Sequence, residues 1–172
     1  MPVEVGEGAA RLIDGTAVAR AIREEVARDT RELVARGVTP GLAVVLVGDD
    51  PASAVYVRSK GRACQEAGMH SVTIRLPSDT SHADLLAHVD RLNADPAIHG
   101  ILVQMPLPKQ ISSDAIVRRI RPDKDVDGFH PVNVGKLLMG ERDGFAPCTP
   151  AGVMELLKRN GVETRGADCV VV

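Results

Sequence analysis

Aromatic residues are almost absent from this 172-residue sequence, which has one tyrosine, two phenylalanines and no tryptophan. A hydrophobic core must therefore be built from aliphatic side chains, and 44% hydrophobic residues is a normal content for a globular fold. A chain of this length accommodates one ordinary domain, or one domain and part of a second. The single tyrosine, Tyr56, is correspondingly noticeable.

Other absences exclude several classes of protein. Acids and bases are interspersed and the net charge is −2, so no basic patch predicts nucleic-acid binding. The longest apolar runs are too short to span a bilayer, and the N-terminus lacks the pattern of a secretory signal. Cys64, Cys148 and Cys169 have no metal-ligand spacing, which predicts free thiols in a cytoplasmic protein that binds no metal.

Short β-branched runs alternate with helical periodicities along most of the chain. A helix capped by Asp14 or Thr16 is predicted to end near Ala35. The other predicted helices cover residues 51–67, 82–95 and 113–120, and the predicted strands cover residues 42–48, 71–76 and 100–105. This alternation predicts an α/β fold with an open, mostly parallel sheet flanked by helices.

The character of the sequence changes after residue 121. Residues 122–148 are rich in Gly, Pro and Asp and are only briefly periodic, which predicts a long irregular region of functional interest. A helix capped by Thr149 is predicted to follow, and Cys169–Val172 is predicted to begin a further buried strand.

The predicted helix that begins at Pro51 carries a lysine in an unusual position. Lys60 and Tyr56 are four residues apart and share a face, whereas Lys60 lies about 200° around the helix from Arg58 and Arg62. If the arginines face solvent, Lys60 and Tyr56 are expected on the core-facing side. A buried ammonium group is costly unless it is paired, and a lysine that extends its stem to reach water remains an alternative.

Three segments with candidate site residues are expected at one edge of the sheet, because ligands of open α/β folds bind beyond the carboxyl ends of the strands. They are the helix with Tyr56 and Lys60, Gln104 at the end of a strand, and the loop Lys124–Phe129 with two carboxylates. Taken singly, Gln104 is better explained as a strand end and Asp127–Gly128 as a turn. Together they supply a lysine, an amide that can hold it, a tyrosine ring and a carboxylate.

Four segments also resemble the signature segments of the bifunctional methylenetetrahydrofolate dehydrogenase/methenyltetrahydrofolate cyclohydrolases. They are GDDPASAVYVRSK, GILVQMPLP, PDKDVDGFHPVNVGKL and PCTPAG, in the order of the family, and the resemblance extends from Ile13 over nearly the whole chain. It implies interconversion of methylene-, methenyl- and 10-formyl-tetrahydrofolate in one-carbon metabolism, which supplies purine and amino-acid synthesis. Tetrahydrofolate would be the substrate, NADP (in some members NAD) the oxidant, and the full-length protein a cytoplasmic homodimer.

Carried over by position, the resemblance implies that Lys60 is the catalytic lysine and that Gln104 holds it. Tyr56 would pack against the folate ring system and Asp127 would bind the pterin, whose adjacent N–H donors suit a carboxylate. A lysine amine can exchange protons while the methenyl group is hydrated. The substrate-binding positions implied in this way are Ser53, Tyr56, Val57, Arg58, Ser59, Lys60, Val103, Gln104, Met105 and Asp127.

The resemblance further implies that residues 1–148 form the folate-binding domain and that residues 149–172 begin a truncated Rossmann domain. The phosphate-binding turn of the family would follow Val172, so no cofactor-binding residue is predicted in this chain. Two alternatives remain open, namely a folate-binding module without catalysis and an α/β scaffold that binds no folate. Folate binding without turnover would favour the module, and the absence of folate binding would favour the scaffold.

Overall fold

A computed structural model describes residues 12–170, so the N-terminal residues that lack a secretory-signal pattern lie outside the described residues. Its sheet contains β1 (Gly41–Val47), β2 (His70–Leu76) and β3 (Gly100–Val103), all parallel, in the order β2-β1-β3. The helices are α1 (Gly15–Ala35), α2 (Pro51–Glu66), α3 (His82–Ala94), α4 (Ser113–Arg119), α5 (Pro131–Met139) and α6 (Cys148–Arg159). The predicted open, parallel α/β fold is confirmed.

The central strand β1 is buried on both faces, as its continuous apolar sequence predicts. Because side chains alternate along a strand, one face contributes Val45 to a core that includes Leu85 and Val89 of α3. The opposite face contributes Val44 to a second core that includes Val57 of α2. Full burial of each such aliphatic side chain contributes about 1.5–3 kcal/mol, and the two cores fix α2 and α3 on opposite faces of the sheet.

Helix starts follow the sequence signals closely. Asp14, rather than Thr16, caps α1, and its Oδ1 accepts from the backbone nitrogens of Thr16 and Ala17 at 2.9 and 3.1 Å. Asp50 Oδ2 accepts from the Ser53 nitrogen at 2.8 Å at the start of α2. These bonds satisfy backbone donors that have no partner within the helix.

The region predicted to be irregular contains a helix, α5, that the sequence prediction missed. Its N-cap is His130, whose Nδ1 accepts from the Val132 nitrogen at 3.1 Å, and Pro131 occupies its first turn. Gly140, with a φ of 76°, ends it. Proline at the start and glycine after the end are the usual helix boundaries, so the signal was present in a segment of only nine residues.

Two further predictions about the C-terminal segment are wrong. Helix α6 begins at Cys148 with Pro147 as its N-cap, because the Ala151 nitrogen already donates to the Pro147 carbonyl at 3.1 Å; Thr149 is therefore inside the helix. Cys169 and Val170 form no strand, since no described strand lies beside them to complete their backbone hydrogen bonds. Val171 and Val172 lie outside the described residues.

Residues 12–170 lack the features of two other classes of site. No helix there is both long enough and apolar enough to cross a membrane. Nor does that part of the chain bring together three or more His, Cys, Asp or Glu side chains that could hold a metal ion.

Candidate active site

The predicted contact between the lysine of α2 and the glutamine after β3 is present. Lys60 Nζ donates to Gln104 Oε1 at 3.3 Å. The glutamine is itself fixed, because its backbone nitrogen donates to the Val45 carbonyl at 2.8 Å and its Nε2 donates to the Met105 carbonyl at 2.9 Å. The amide oxygen is thereby turned toward the lysine at the carboxyl edge of β1 and β3.

The orientation of α2 differs from the prediction. Val57 is 1% exposed and packs into the core, whereas Tyr56 is 64% exposed and Lys60 is half-buried. Tyr56 therefore does not lie on the core-facing side, although Arg58 is exposed as expected. An aliphatic side chain loses nothing in an apolar core, but a buried tyrosine needs a partner for its hydroxyl group, which favours Val57 as the inward residue.

The remaining predicted substrate positions fall into two groups. Ser53, Val57 and Val103 are buried between α2 and the sheet or within β3, so their side chains are covered by the protein itself. Ser59 is exposed and Met105 is half-buried, which leaves both accessible. Substrate contact by any of these residues stays a prediction.

The acidic loop, defined as residues 124–129, brings Asp127 into the electrostatic field of Lys60. The loop runs beside β3, because Asp125 forms a parallel bridge with Ile101. Asp127 is half-buried, and this burial raises the pKa of its carboxyl group. The nearby charge of Asp125 also raises that pKa, while the positive charge of Lys60 opposes the shift.

Cys148 is a neighbour of this site that sequence reasoning treated only as a free thiol. Its Sγ donates to the Val126 carbonyl at 3.4 Å, which joins the start of α6 to the acidic loop. Desolvation of the thiol raises the pKa of Cys148, the charge of Asp127 raises it further, and Lys60 opposes both. The available signal was the PCTPAG segment, in which Cys148 lies between Pro147 and Pro150, where prolines mark the start of a helix.

Chemically, the arrangement combines an amine, an amide oxygen and a partly buried carboxylate at one edge of a parallel sheet. The amine of Lys60 can exchange protons with a bound molecule, and the amide of Gln104 orients it without adding charge. The carboxylate of Asp127 can accept from two adjacent N–H donors of a ligand. The site therefore places a group that can exchange protons near a carboxylate that can bind N–H donors.

The chain is similar to proteins of known family. Residues 13–127 match the family model described as tetrahydrofolate dehydrogenase/cyclohydrolase, catalytic domain. The chain is 60% identical over 161 residues to Bifunctional protein FolD 2 of Geobacter metallireducens, a match that covers 94% of this chain and 56% of that protein.

Solved structures give the same result. The crystal structure of the bifunctional enzyme FolD from Campylobacter jejuni matches with a TM-score of 0.85 and 48% identity, covering 87% of this chain and 53% of that one. FolD of Trypanosoma brucei, solved with NADP cofactor and inhibitor, matches with a TM-score of 0.84 and 41% identity, covering 88% and 52%. The chain spans a little over half the length of the relatives that it matches.

Proposed function

This chain belongs to the tetrahydrofolate dehydrogenase/cyclohydrolase family, and we propose that it supplies the folate site of an enzyme that interconverts methylene-, methenyl- and 10-formyl-tetrahydrofolate. The observation that carries the proposal is the 3.3 Å contact between Lys60 Nζ and Gln104 Oε1 beside the half-buried Asp127. This contact supports a proton-transferring amine at the sheet edge where α/β proteins bind ligands.

Each residue has a distinct role in the proposal. Asp127 accepts hydrogen bonds from the amino group and the adjacent ring N–H of the pterin. The exposed ring of Tyr56 offers a flat apolar surface against which the folate ring system packs. Gln104 holds the Lys60 amine in a fixed direction.

The cyclohydrolase step follows from these positions. A water molecule adds to the methenyl carbon, and Lys60 accepts a proton from that water. The bond between this carbon and ring nitrogen N5 then breaks, which leaves a formyl group on N10. One proton of the water ends on N5 and the other passes to solvent, so atoms and charge balance.

NADP would accept a hydride in the dehydrogenase step, but the turn between β1 and α2 does not fit the phosphates of a dinucleotide. The turn between β1 and α2 contains a single glycine, Gly48, and the Asp50 carboxylate already accepts from the backbone of that helix N-terminus. We therefore propose that residues 1–148 form the folate domain and that residues 149–172 begin the cofactor domain. The cytoplasmic, homodimeric state of the whole protein is part of the same proposal.

Folate binding by the 172-residue chain tests the proposal directly. Calorimetric titration with tetrahydrofolate is expected to show saturable binding, and Asp127→Ala is expected to weaken it about tenfold or more, the cost of losing a charge-assisted pair. The chain given methylenetetrahydrofolate and NADP should form no methenyl product.

Turnover is tested in the completed chimera, in which these 172 residues replace the matching part of the Geobacter metallireducens relative. Cyclohydrolase activity of the completed chimera supports the enzyme. Binding by the chain without turnover by the completed chimera would indicate a folate-binding module. Failure of both binding and turnover would overturn the proposal and leave the scaffold alternative.

A further inference from the structure

A buried amide joins three separate segments around the acidic loop. Asn133 of α5 is 2% exposed, and its Nδ2 donates to Asp125 Oδ2 and to the Pro122 carbonyl, each at 2.9 Å. Its Oδ1 accepts from the Phe145 nitrogen at 3.4 Å. One side chain therefore connects the acidic loop, the residues before it and the segment that leads into α6.

Asp125 is the point at which this amide holds the loop. Its carboxylate is 2% exposed, and the same Oδ2 also accepts from the His130 nitrogen at 2.8 Å. Its carbonyl accepts from the Gly128 nitrogen at 3.2 Å, which closes the turn that contains Asp127. A buried carboxylate requires such donors, so Asp125 is bound internally while Asp127, two residues later, is left for a ligand.

The segment before α6 lies directly against the turn. A Cβ atom on Gly128 would lie 2.7 Å from the Ala146 carbonyl carbon and 2.8 Å from the Phe145 oxygen and the Pro147 nitrogen. Since all three are backbone atoms, the two segments approach each other too closely for a side chain at this position. The hydrogen bond from the Phe145 nitrogen to Asn133 thus holds the segment that lies against Gly128.

We propose that Asn133 is a positioning residue that acts through Asp125 and Phe145 to hold Asp127 beside Lys60 and Cys148. The inference deepens the proposed function and rests on it for the identity of the ligand. Asn133 touches no substrate, because its hydrogen-bonding atoms are engaged inside the protein. If its role were only to stabilise the fold, any equally destabilising core substitution would have the same effect on the site.

The reactivity of Cys148 reports the arrangement without folate. In a Cys64→Ser/Cys169→Ser background, Cys148 is the remaining thiol. Asn133→Ala is expected to accelerate its alkylation by iodoacetamide about tenfold, because release of the acidic loop removes the Val126 hydrogen bond and the nearby carboxylate charge. Val89→Ala, a cavity in the core under α3, should lower thermal stability and leave the alkylation rate unchanged.

Substitutions at Asp125 provide the conservative comparison. Asp125→Asn keeps an oxygen acceptor for both donors but loses one of the carboxylate charges that raise the pKa of Cys148, so its rate should lie between those of the wild type and Asn133→Ala. Asp125→Ala loses that charge and the hydrogen bonds together, so its acceleration should at least equal that of Asn133→Ala. If Asn133→Ala does not fold, Asn133→Ser retains one donor for Asp125 and should give an intermediate rate. A wild-type rate in Asn133→Ala or Asn133→Ser, or the same acceleration in Val89→Ala, would overturn the proposal.

Kinetics of the completed chimera give the second readout. Asn133→Ala is expected to raise the KM for methenyltetrahydrofolate about tenfold with kcat changed far less, since it acts on binding by Asp127. If Asn133→Ala accelerates the alkylation of Cys148 but leaves the KM unchanged, the role of Asn133 in folate binding is contradicted. Its role in holding the acidic loop against Cys148 would then still stand. Alkylation needs no folate, so failure of the proposed function is distinguishable from failure of this inference.

Discussion

The two sides of the candidate site are held in different ways. Lys60 and Gln104 stand on a helix and at a strand end, where regular backbone hydrogen bonds hold the main chain. Asp127 stands on the acidic loop, which depends on individual side-chain bonds from Asp125 and Asn133. Removal of a side chain should therefore change chemistry on the first side and geometry on the second.

A buried lysine anchors the beginning of the acidic loop. Lys124 Nζ donates to the carbonyls of Leu92, Asn93 and Asp95 at 3.1, 2.9 and 2.8 Å, at the C-terminal end of α3. Desolvation lowers the pKa of Lys124, and the three acceptors offset the cost of burying the ammonium group. The loop is thus tied to the end of α3 through Lys124 and to α5 through Asp125.

Substitution of Lys60 should produce the largest effect. It should lower catalytic turnover and leave folding unchanged. We expect Lys60→Met in the completed chimera to lower cyclohydrolase turnover by about two to four orders of magnitude, the range for losing a general acid–base group. Folding should persist, because α2 keeps its backbone and an apolar replacement at a half-buried position is tolerated. Turnover and a thermal melt on the same preparation measure both effects.

The matched control on the same helix is Arg62→Met, which removes an exposed charge that pairs with Glu66. It should leave turnover near the wild-type value. Near-normal turnover of Lys60→Met with a lowered melting temperature would instead make Lys60 a structural lysine.

Two glycine substitutions separate the geometry of the acidic loop from that of a helix. Gly128→Ala meets three backbone atoms within 2.8 Å at a φ of 69°, so we expect the free energy of unfolding to fall by about 1–3 kcal/mol. Gly135→Ala in α5 meets nothing within 4 Å and should raise it by about 0.5–1 kcal/mol. Urea unfolding of both variants provides the measurement, and equal effects would contradict the close contact.

The same contrast explains what could be predicted from the sequence. The strand ending at Gln104 and the helix of Lys60 follow from hydrophobic runs and capping residues, and parallel strands bring their ends to one edge. Periodicity gives the spacing of Tyr56 and Lys60 but not which face of α2 meets the sheet, so Tyr56 was wrongly expected inside. The bonds of Asn133 join positions with no periodic relation, and only the folded chain brings them together.

Asp127 provides the smallest expected effect, and its sign distinguishes a binding residue from a structural one. Its pKa is raised in the folded protein, so the folded state holds a proton more tightly than the unfolded state does. The ionised carboxylate therefore costs stability above its folded pKa, and this cost disappears as the pH falls toward the unfolded value. Asp127→Asn is expected to melt at a higher temperature than wild type at neutral pH, with the difference lost in acid.

The control for that experiment is Asp143, whose pKa is lowered because its carboxylate accepts from Lys136 at 2.7 Å. Its stabilising contribution is present above the unfolded pKa and is lost as the pH falls through the folded pKa, so Asp143→Asn should melt slightly lower at neutral pH. Thermal melts from neutral pH to acid, with tetrahydrofolate titrations at neutral pH, measure the two effects. Asp127→Asn should gain stability and lose folate affinity together. The ionised carboxylate lowers the stability of the folded protein without a ligand, and the same carboxylate accepts the N–H donors of the pterin in the complex. A variant that loses stability at neutral pH would show that Asp127 itself supports the loop, which would contradict its assignment as the carboxylate left for the pterin.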